Sequence, residues 1–218
     1  MKNVYVYCEG QTEEAFVKSV LYDFMFNSGI IVIPIICTTN RTASKKFKGG
    51  ISDYASVRKE LSFLCKVHKN ELVTTMIDLY GLPDNTPGIN ASAPDVYGKV
   101  NAIEQSIADD VNERNLLVNL TVHEFEALLF SDVEAFIPFV GEDAVDRLQD
   151  IRNKFNSPEH INSSVATAPS KRILEIVPGF SKTRQGVVIS RSIGIDKMID
   201  QCSHFSEWIK KMQLYGSK

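Results

Sequence analysis

Two carboxylates, Glu9 and Asp78, each follow directly on a run of strand-forming residues, Val4 to Cys8 (VYVYC) and Leu72 to Ile77 (LVTTMI). A third acidic group, Glu124 and Glu126 within His123-Glu124-Phe125-Glu126, follows the apolar-rich LLVNLTV. Carboxylates brought within a few ångströms of one another repel unless a cation neutralises them. Oxygen donors suit Mg²⁺ or Mn²⁺ better than zinc. Cys8, Cys37, Cys65 and Cys202 lie far apart, with no CxxC or zinc-ligand spacing. HEFE also lacks the second histidine of HExxH, which excludes zinc-protease chemistry. If HEFEALLF is helical, Glu124 shares one face with Leu128 while His123 and Glu126 share another. Either glutamate can then complete a metal set or support it from behind, and His123 reads as a hydrogen-bonded core histidine.

Basic residues supply the other half of a phosphate site. Arg41, Lys45, Lys46 and Lys48 crowd a loop ending in Gly49-Gly50, and Lys171, Arg172, Lys182 and Arg184 form a later set. Cations that grip a phosphodiester backbone beside an acidic, metal-bearing rim are what hydrolysis of that backbone requires. Charge runs of this kind also occur as plain solvated faces. No GxxxxGK[ST] loop, no GxGxxG after a strand and no GxSxG elbow is present, which argues against a P-loop ATPase, a Rossmann dehydrogenase or a serine hydrolase.

The elements that must position these groups alternate. VYVYC leads through Glu9-Gly10 into a helix, with Thr12 as the expected N-cap and Glu13 and Glu14 in the first turn. Ile30 to Cys37 (IIVIPIIC) reads as a second strand, and Pro34 assigns it to an edge. A helix is expected from about residue 52 to 68, the third strand ends at Asp78, and a long Pro/Gly/Asn-rich loop follows. A helix over residues 96–113 precedes the short strand LLVNLTV. Strands alternating with helices predict an α/β fold with a mainly parallel four-stranded sheet flanked by helices. All the acids then leave strands at their carboxyl ends, where open α/β sheets bind ligands. Residues 1–130 form this core, and 131–218 a helical, irregular elaboration packed on it, ending in a helix near Ile195 to Met212.

The totals bound the partners. With 24 Lys and Arg against 27 Asp and Glu in 218 residues, the net charge of -3 gives no global attraction for a polyanion. Contact with nucleic acid must therefore be local. No segment reads as a signal peptide or a membrane span, so the expectation is a soluble, cytoplasmic protein with reduced thiols and no membrane partner.

Five ordered motifs carry a family resemblance: EGQTEE (Glu9 to Glu14), IDLYGLPDNTPG (Ile77 to Gly88), HEFEALLF (His123 to Phe130), PEHIN (Pro158 to Asn162) and APSKRI (Ala168 to Ile173). The closing CSHFSEWI (Cys202 to Ile209) is similar as well. Together they resemble the bacterial domain-of-unknown-function family numbered 4276, over nearly the whole chain. That family is regarded as Toprim-like, related to the metal-binding fold of topoisomerases, primases and overcoming-lysogenization-defect nucleases, and its members often accompany ATPases in presumed defence loci. The resemblance implies that Glu9 is the glutamate of the Toprim pattern and Asp78 the first aspartate of its Asp-x-Asp. Tyr80 stands where the second aspartate is expected, and it cannot serve as a hard anionic ligand at neutral pH.

Asp84, Glu124 or Glu126 could take the place of that ligand. The expectation is a Mg²⁺- or Mn²⁺-dependent nuclease acting on DNA or RNA, with Glu9, Asp78 and one of these acids holding metal. Glu124 or Glu126 would serve as general base, and Lys45, Lys46, Lys171 and Arg172 would grip phosphates. The alternative that Tyr80 favours is a non-catalytic Toprim-like binding or adaptor module for an ATPase partner.

Overall fold

The computed structural model describes residues 1–37, 51, 53–162 and 167–217. Lys45 and Lys46, with the rest of the basic loop before Gly50, lie outside them. The first half alternates as expected: β1 (Lys2–Cys8), α1 (Gln11–Phe16), a π-helical turn (Val17–Leu21), α2 (Tyr22–Asn27), β2 (Ile30–Ile36), α3 (Tyr54–Val67), β3 (Leu72–Asp78) and α4 (Val96–Val111). The fourth strand is broken into β4 (Leu116–Leu117) and β5 (Leu120–Thr121), both paired with β3. All pairings are parallel, in the order β2-β1-β3-β4. β2 is an edge strand, where the N–H that Pro34 lacks is not needed by a further neighbour.

Side-chain alternation along β1 divides the core in two. Val4, Val6 and Cys8 point into one cluster with Phe16, Leu21, Phe125 and Trp208, while Tyr7 joins Leu61, Ile77, Ile103 and Leu120 on the other face. Burial on both faces explains the near-continuous apolar strands. The exceptions in β3, Thr74 and Thr75, are fully buried and bridge the break in the fourth strand. Their hydroxyls donate to Leu117 O at 2.7 Å and Asn119 O at 2.6 Å.

Past the fourth strand the chain coils into 3-10 turns (Phe125–Ser131, Val133–Phe136), α5 (Ile137–Val140), α6 (Glu142–Arg152), a 3-10 turn (Pro158–His160), α7 (Pro169–Ile176), a π-helical turn (Lys182–Gly186), α8 (Val187–Ile193), α9 (Ile195–Gln201) and α10 (Ser203–Gly216). The single final helix expected from the sequence is thus two, parted at Cys202, whose backbone is extended. Phe136, Ile189, Met198 and Ile209 share the core of the first sheet face. Among the described residues no helix is long and apolar enough to cross a membrane.

A second correction concerns the start of α1. Gly10, not Thr12, is the N-cap: its carbonyl accepts from Glu14 N at 3.1 Å, and its N–H donates to Glu13 Oε2 at 2.9 Å. The glutamate three positions on satisfies the orphan donor that a later helix start would have left bare.

Where α10 begins, Glu159 does similar work while only 2 % exposed. Its Oε1 accepts from Phe205 N at 2.9 Å, and its Oε2 from His204 N at 3.1 Å and from Tyr97 Oη at 3.0 Å. His204 Nε2 lies 2.9 Å from Glu104 Oε1, tying the same turn to α4. Replacing Glu159 by alanine strands buried donors at a helix terminus. Glu159→Ala should therefore cost about 2–4 kcal/mol in urea unfolding, at an unchanged m-value.

Candidate functional site

The site begins with a parallel ladder that continues one residue past β1. Glu9 N donates to Met76 O at 3.1 Å, and the Glu9 side chain turns back so that Oε2 accepts from Asp78 N at 3.0 Å. Residues 69 positions apart become immediate neighbours. The 3-10 turn Leu79–Gly81 passes beneath the Glu9 carboxylate so closely that a Cβ on Gly81 would sit 2.3 Å from Oε2 and 2.6 Å from Cδ. Only glycine leaves that space.

Asp78 Oδ1 accepts from Phe125 N at 2.9 Å, which brings the HEFE segment to the same point. This segment is not helical at its acids: Glu124 is extended, and a 3-10 turn starts at Phe125. The opposed helical faces expected for Glu124 and Glu126 therefore do not arise. Glu124 Oε2 accepts from Ser170 N at the start of α7, at 3.0 Å, and Glu126 Oε2 pairs with Lys182 Nζ at 2.9 Å. Glu13, 7 % exposed, adds a further charge from the first turn of α1.

Five carboxylates, Glu9, Glu13, Asp78, Glu124 and Glu126, thus act on one another around the Lys182 ammonium. Burial, and then the charge of Glu13, push the Glu9 carboxyl up to about 7. Asp78 is raised well above the carboxylate range by burial first, then by Glu9, Glu13 and Glu126. Burial raises Glu13 and Glu126 as well, against the pull of Lys182. For Lys182 burial works downward, but the charge and hydrogen bond of Glu126, with Glu124 and Asp78 behind, reverse the sign and raise its pKa.

The other candidate residues lie elsewhere. Asp84 is exposed on the loop after β3 and is not among the charges that shift Glu9 or Asp78. Lys171 is exposed in the first turn of α7. The Arg172 guanidinium donates to Thr167 O at 2.8 Å and lies over the Phe155 ring. Tyr80 packs its ring 5.3 Å from that of His123 and feels the charge of Glu124. His123 is buried, and burial together with the charge of His160 lowers its pKa to about 4. Its Nδ1 accepts from Asn162 Nδ2 at 3.2 Å, which suits a neutral ring.

Sequence reasoning gave Glu13 only a place in a helical first turn, although its spacing from Gly10 is that of a capping glutamate. Lys182 stood in a diffuse basic set, and nothing local marks it as the partner of Glu126.

The donor types fit a hard divalent cation. All are carboxylate oxygens, and among the described residues their negative charge exceeds the positive charge beside them and the buried Glu126 Oε1 has no hydrogen-bond partner. Among the described residues, no three His, Cys, Asp or Glu side chains are already gathered as a metal cage. A cation would thus have to draw these oxygens inward.

A family model described as Domain of unknown function (DUF4276) matches residues 8–213. A solved structure of the C-terminal region of the Xanthomonas campestris pv. campestris OLD protein is similar to this chain, with 14% sequence identity and a TM-score of 0.40, covering 98% of this chain and 97% of that one. No curated protein matches.

Two expectations follow from the crowding. The raised carboxyl pKa values make protons bind more tightly in the folded state. That contribution is complete below the unfolded value near 4.5 and is lost as pH rises through about 7. In chelator, the melting temperature should fall from about pH 5 to about pH 8, and Glu9→Gln should flatten the slope, stabilising the protein at the upper end by roughly 2 kcal/mol. Gly81→Ala should instead cost about 1–3 kcal/mol, because displacing the Glu9 carboxylate leaves the Asp78 amide without its acceptor. Its effect should appear as faster hydrogen exchange at the Asp78 amide, whose acceptor has been pushed away.

Proposed function

The chain belongs to the family described as Domain of unknown function (DUF4276), and from that premise and the acidic site we propose that it is a Toprim-like, divalent-metal-dependent nuclease acting on nucleic-acid phosphodiesters. One observation carries the reading: Glu9, Asp78 and Glu126 converge beyond the carboxyl ends of β1 and β3, with Glu126 Oε1 buried and without a partner among the described residues. Buried acids at this density are costly to folding. Their retention is understood if the site serves a cation.

In this reading Glu9, Asp78 and Glu126 would hold Mg²⁺ or Mn²⁺, which supplies charge neutralisation and Lewis acidity at the phosphate. The chain's own groups do the rest. Glu124, fixed by the α7 amide of Ser170, is the carboxylate assigned to accept the proton of an attacking water. The Lys182 ammonium offers positive charge to the developing oxyanion, and Lys171, exposed in the first turn of α7, offers it to a neighbouring phosphate. Asp84 lies outside this assignment, Arg172 is occupied by Thr167 and Phe155, and Lys45 and Lys46 lie outside the described residues. Cooperation with a separate ATPase in a bacterial defence system belongs to the same proposal and rests on the motif resemblance alone.

Tyr80 favours a second reading, a non-catalytic binding or adaptor module, because the side chain in that place brings no carboxylate. Two measurements separate the readings. Plasmid DNA and RNA incubated with Mn²⁺, with and without an ATPase encoded alongside, should be cleaved by the parent and at least about a hundredfold more slowly by Glu9→Gln and Asp78→Asn. Equal cleavage by Glu9→Gln would overturn the nuclease scheme. Calorimetry with no Mn²⁺ uptake at millimolar concentration would replace it with the adaptor.

A further inference from the structure

We propose that His123 is a positioning residue: its left-handed backbone carries the chain from one core of the sheet to the other and thereby delivers Glu124, the Phe125 amide and Glu126 to the acidic site. Val122 is 2 % exposed and belongs to the core that holds Leu120 and Ile103; Phe125 is 1 % exposed and belongs to the opposite core, with Phe16 and Leu128. Two residues are left to cross between them.

The crossing is a γ-turn, closed by Glu124 N donating to Val122 O at 2.9 Å, with φ of 63° at His123 between them. That sense of γ-turn is rare and strained for a residue with a Cβ. Among the described residues outside glycine, positive φ occurs elsewhere only at Asn112, the C-cap of α4, where a left-handed residue is ordinary.

Contacts on three sides hold the strained residue. Its carbonyl accepts from Tyr80 N at 3.2 Å, its Nδ1 from Asn162 Nδ2 at 3.2 Å, and its ring packs against that of Tyr80. Tyr80 therefore has a structural task in the place where the Toprim pattern has an aspartate. Beyond the turn, three consecutive residues each meet the site: Glu124 takes the Ser170 amide, Phe125 N–H reaches Asp78 Oδ1, and Glu126 meets Lys182. A chain that left Val122 in a β conformation would carry all three away together.

The inference rests on the acidic site being functional only in its metal arm. The variants are His123→Asn, which tolerates the left-handed region; His123→Gly, which adopts it freely; and His123→Val, whose branched Cβ opposes it. Amide hydrogen exchange at Phe125 and Ser170 is read for each. The parent, His123→Asn and His123→Gly should protect both amides, while His123→Val should exchange at least about tenfold faster there with the rest of the sheet unchanged. A residue that merely filled the core would make Asn and Gly as harmful as Val.

Protection retained in folded His123→Val, or lost equally in His123→Asn and His123→Gly, would overturn the proposal. If His123→Val does not fold, the other two variants decide it by the same criterion. Mn²⁺ affinity should follow the same order, falling about tenfold or more in His123→Val. A parent that binds no Mn²⁺ would remove the metal reading and leave the exchange comparison standing.

Discussion

The hydrogen bond from the Asp78 amide to the Glu9 carboxylate sets the geometry of everything around it. It folds the end of β1 over the end of β3, and it does so only because Gly81 offers bare backbone beneath the carboxylate. A carboxyl group is thereby held against a sheet end, where burial disfavours its charged form. Glu13 from α1 deepens the electrostatic cost of Glu9, and Glu13 and Glu126 together deepen that of Asp78. The arrangement is tolerable because backbone amides of Gly10, Asp78, Phe125 and Ser170 each donate to one of these carboxylates, and because Lys182 supplies a positive charge from the far end of the chain.

A site of this kind weakens the fold that carries it. Paired and hydrogen-bonded carboxylates usually lower their pKa and add stability near neutrality. Here burial outweighs those contacts, so ionisation at neutral pH works against folding. The compensation lies in the sheet and its two cores, where Trp208 Nε1 donates to Thr74 at 2.8 Å and Glu159 caps α10 with both oxygens. Neither contact touches the acids. The contacts that stabilise the fold and the crowded acids thus occupy separate parts of the molecule.

The family match and the parallel sheet agree with the fold that the sequence motifs led us to expect. Most of that fold was legible because its signals are local. Alternation in VYVYC and the apolar LVTTMI mark buried parallel strands, Pro34 marks the edge, and the stripe of Val57 and Leu61 marks a helix covering one face. The misplacements are local too. Thr12 looked like a cap because its hydroxyl suits one, but the Glu13 carboxylate reaching Gly10 fixed the start earlier. HEFEALLF has helix-forming residues, yet the contact of Asp78 with the Phe125 amide and the turn at His123 hold its acids out of a helix.

Which strands end in an acid can be read from residue order alone, since it follows from alternation along a few neighbouring positions. Their placement at one rim follows in turn from parallel pairing. Which charges meet there depends on the folded arrangement. Lys182 reaches Glu126 across 56 positions, and Ser170 reaches Glu124 across 46. Asp84, though near Asp78 in sequence, points into solvent. Side-chain type and spacing constrain a residue's own element, whereas electrostatic partnership depends on distances between elements, and those are set by how both cores pack.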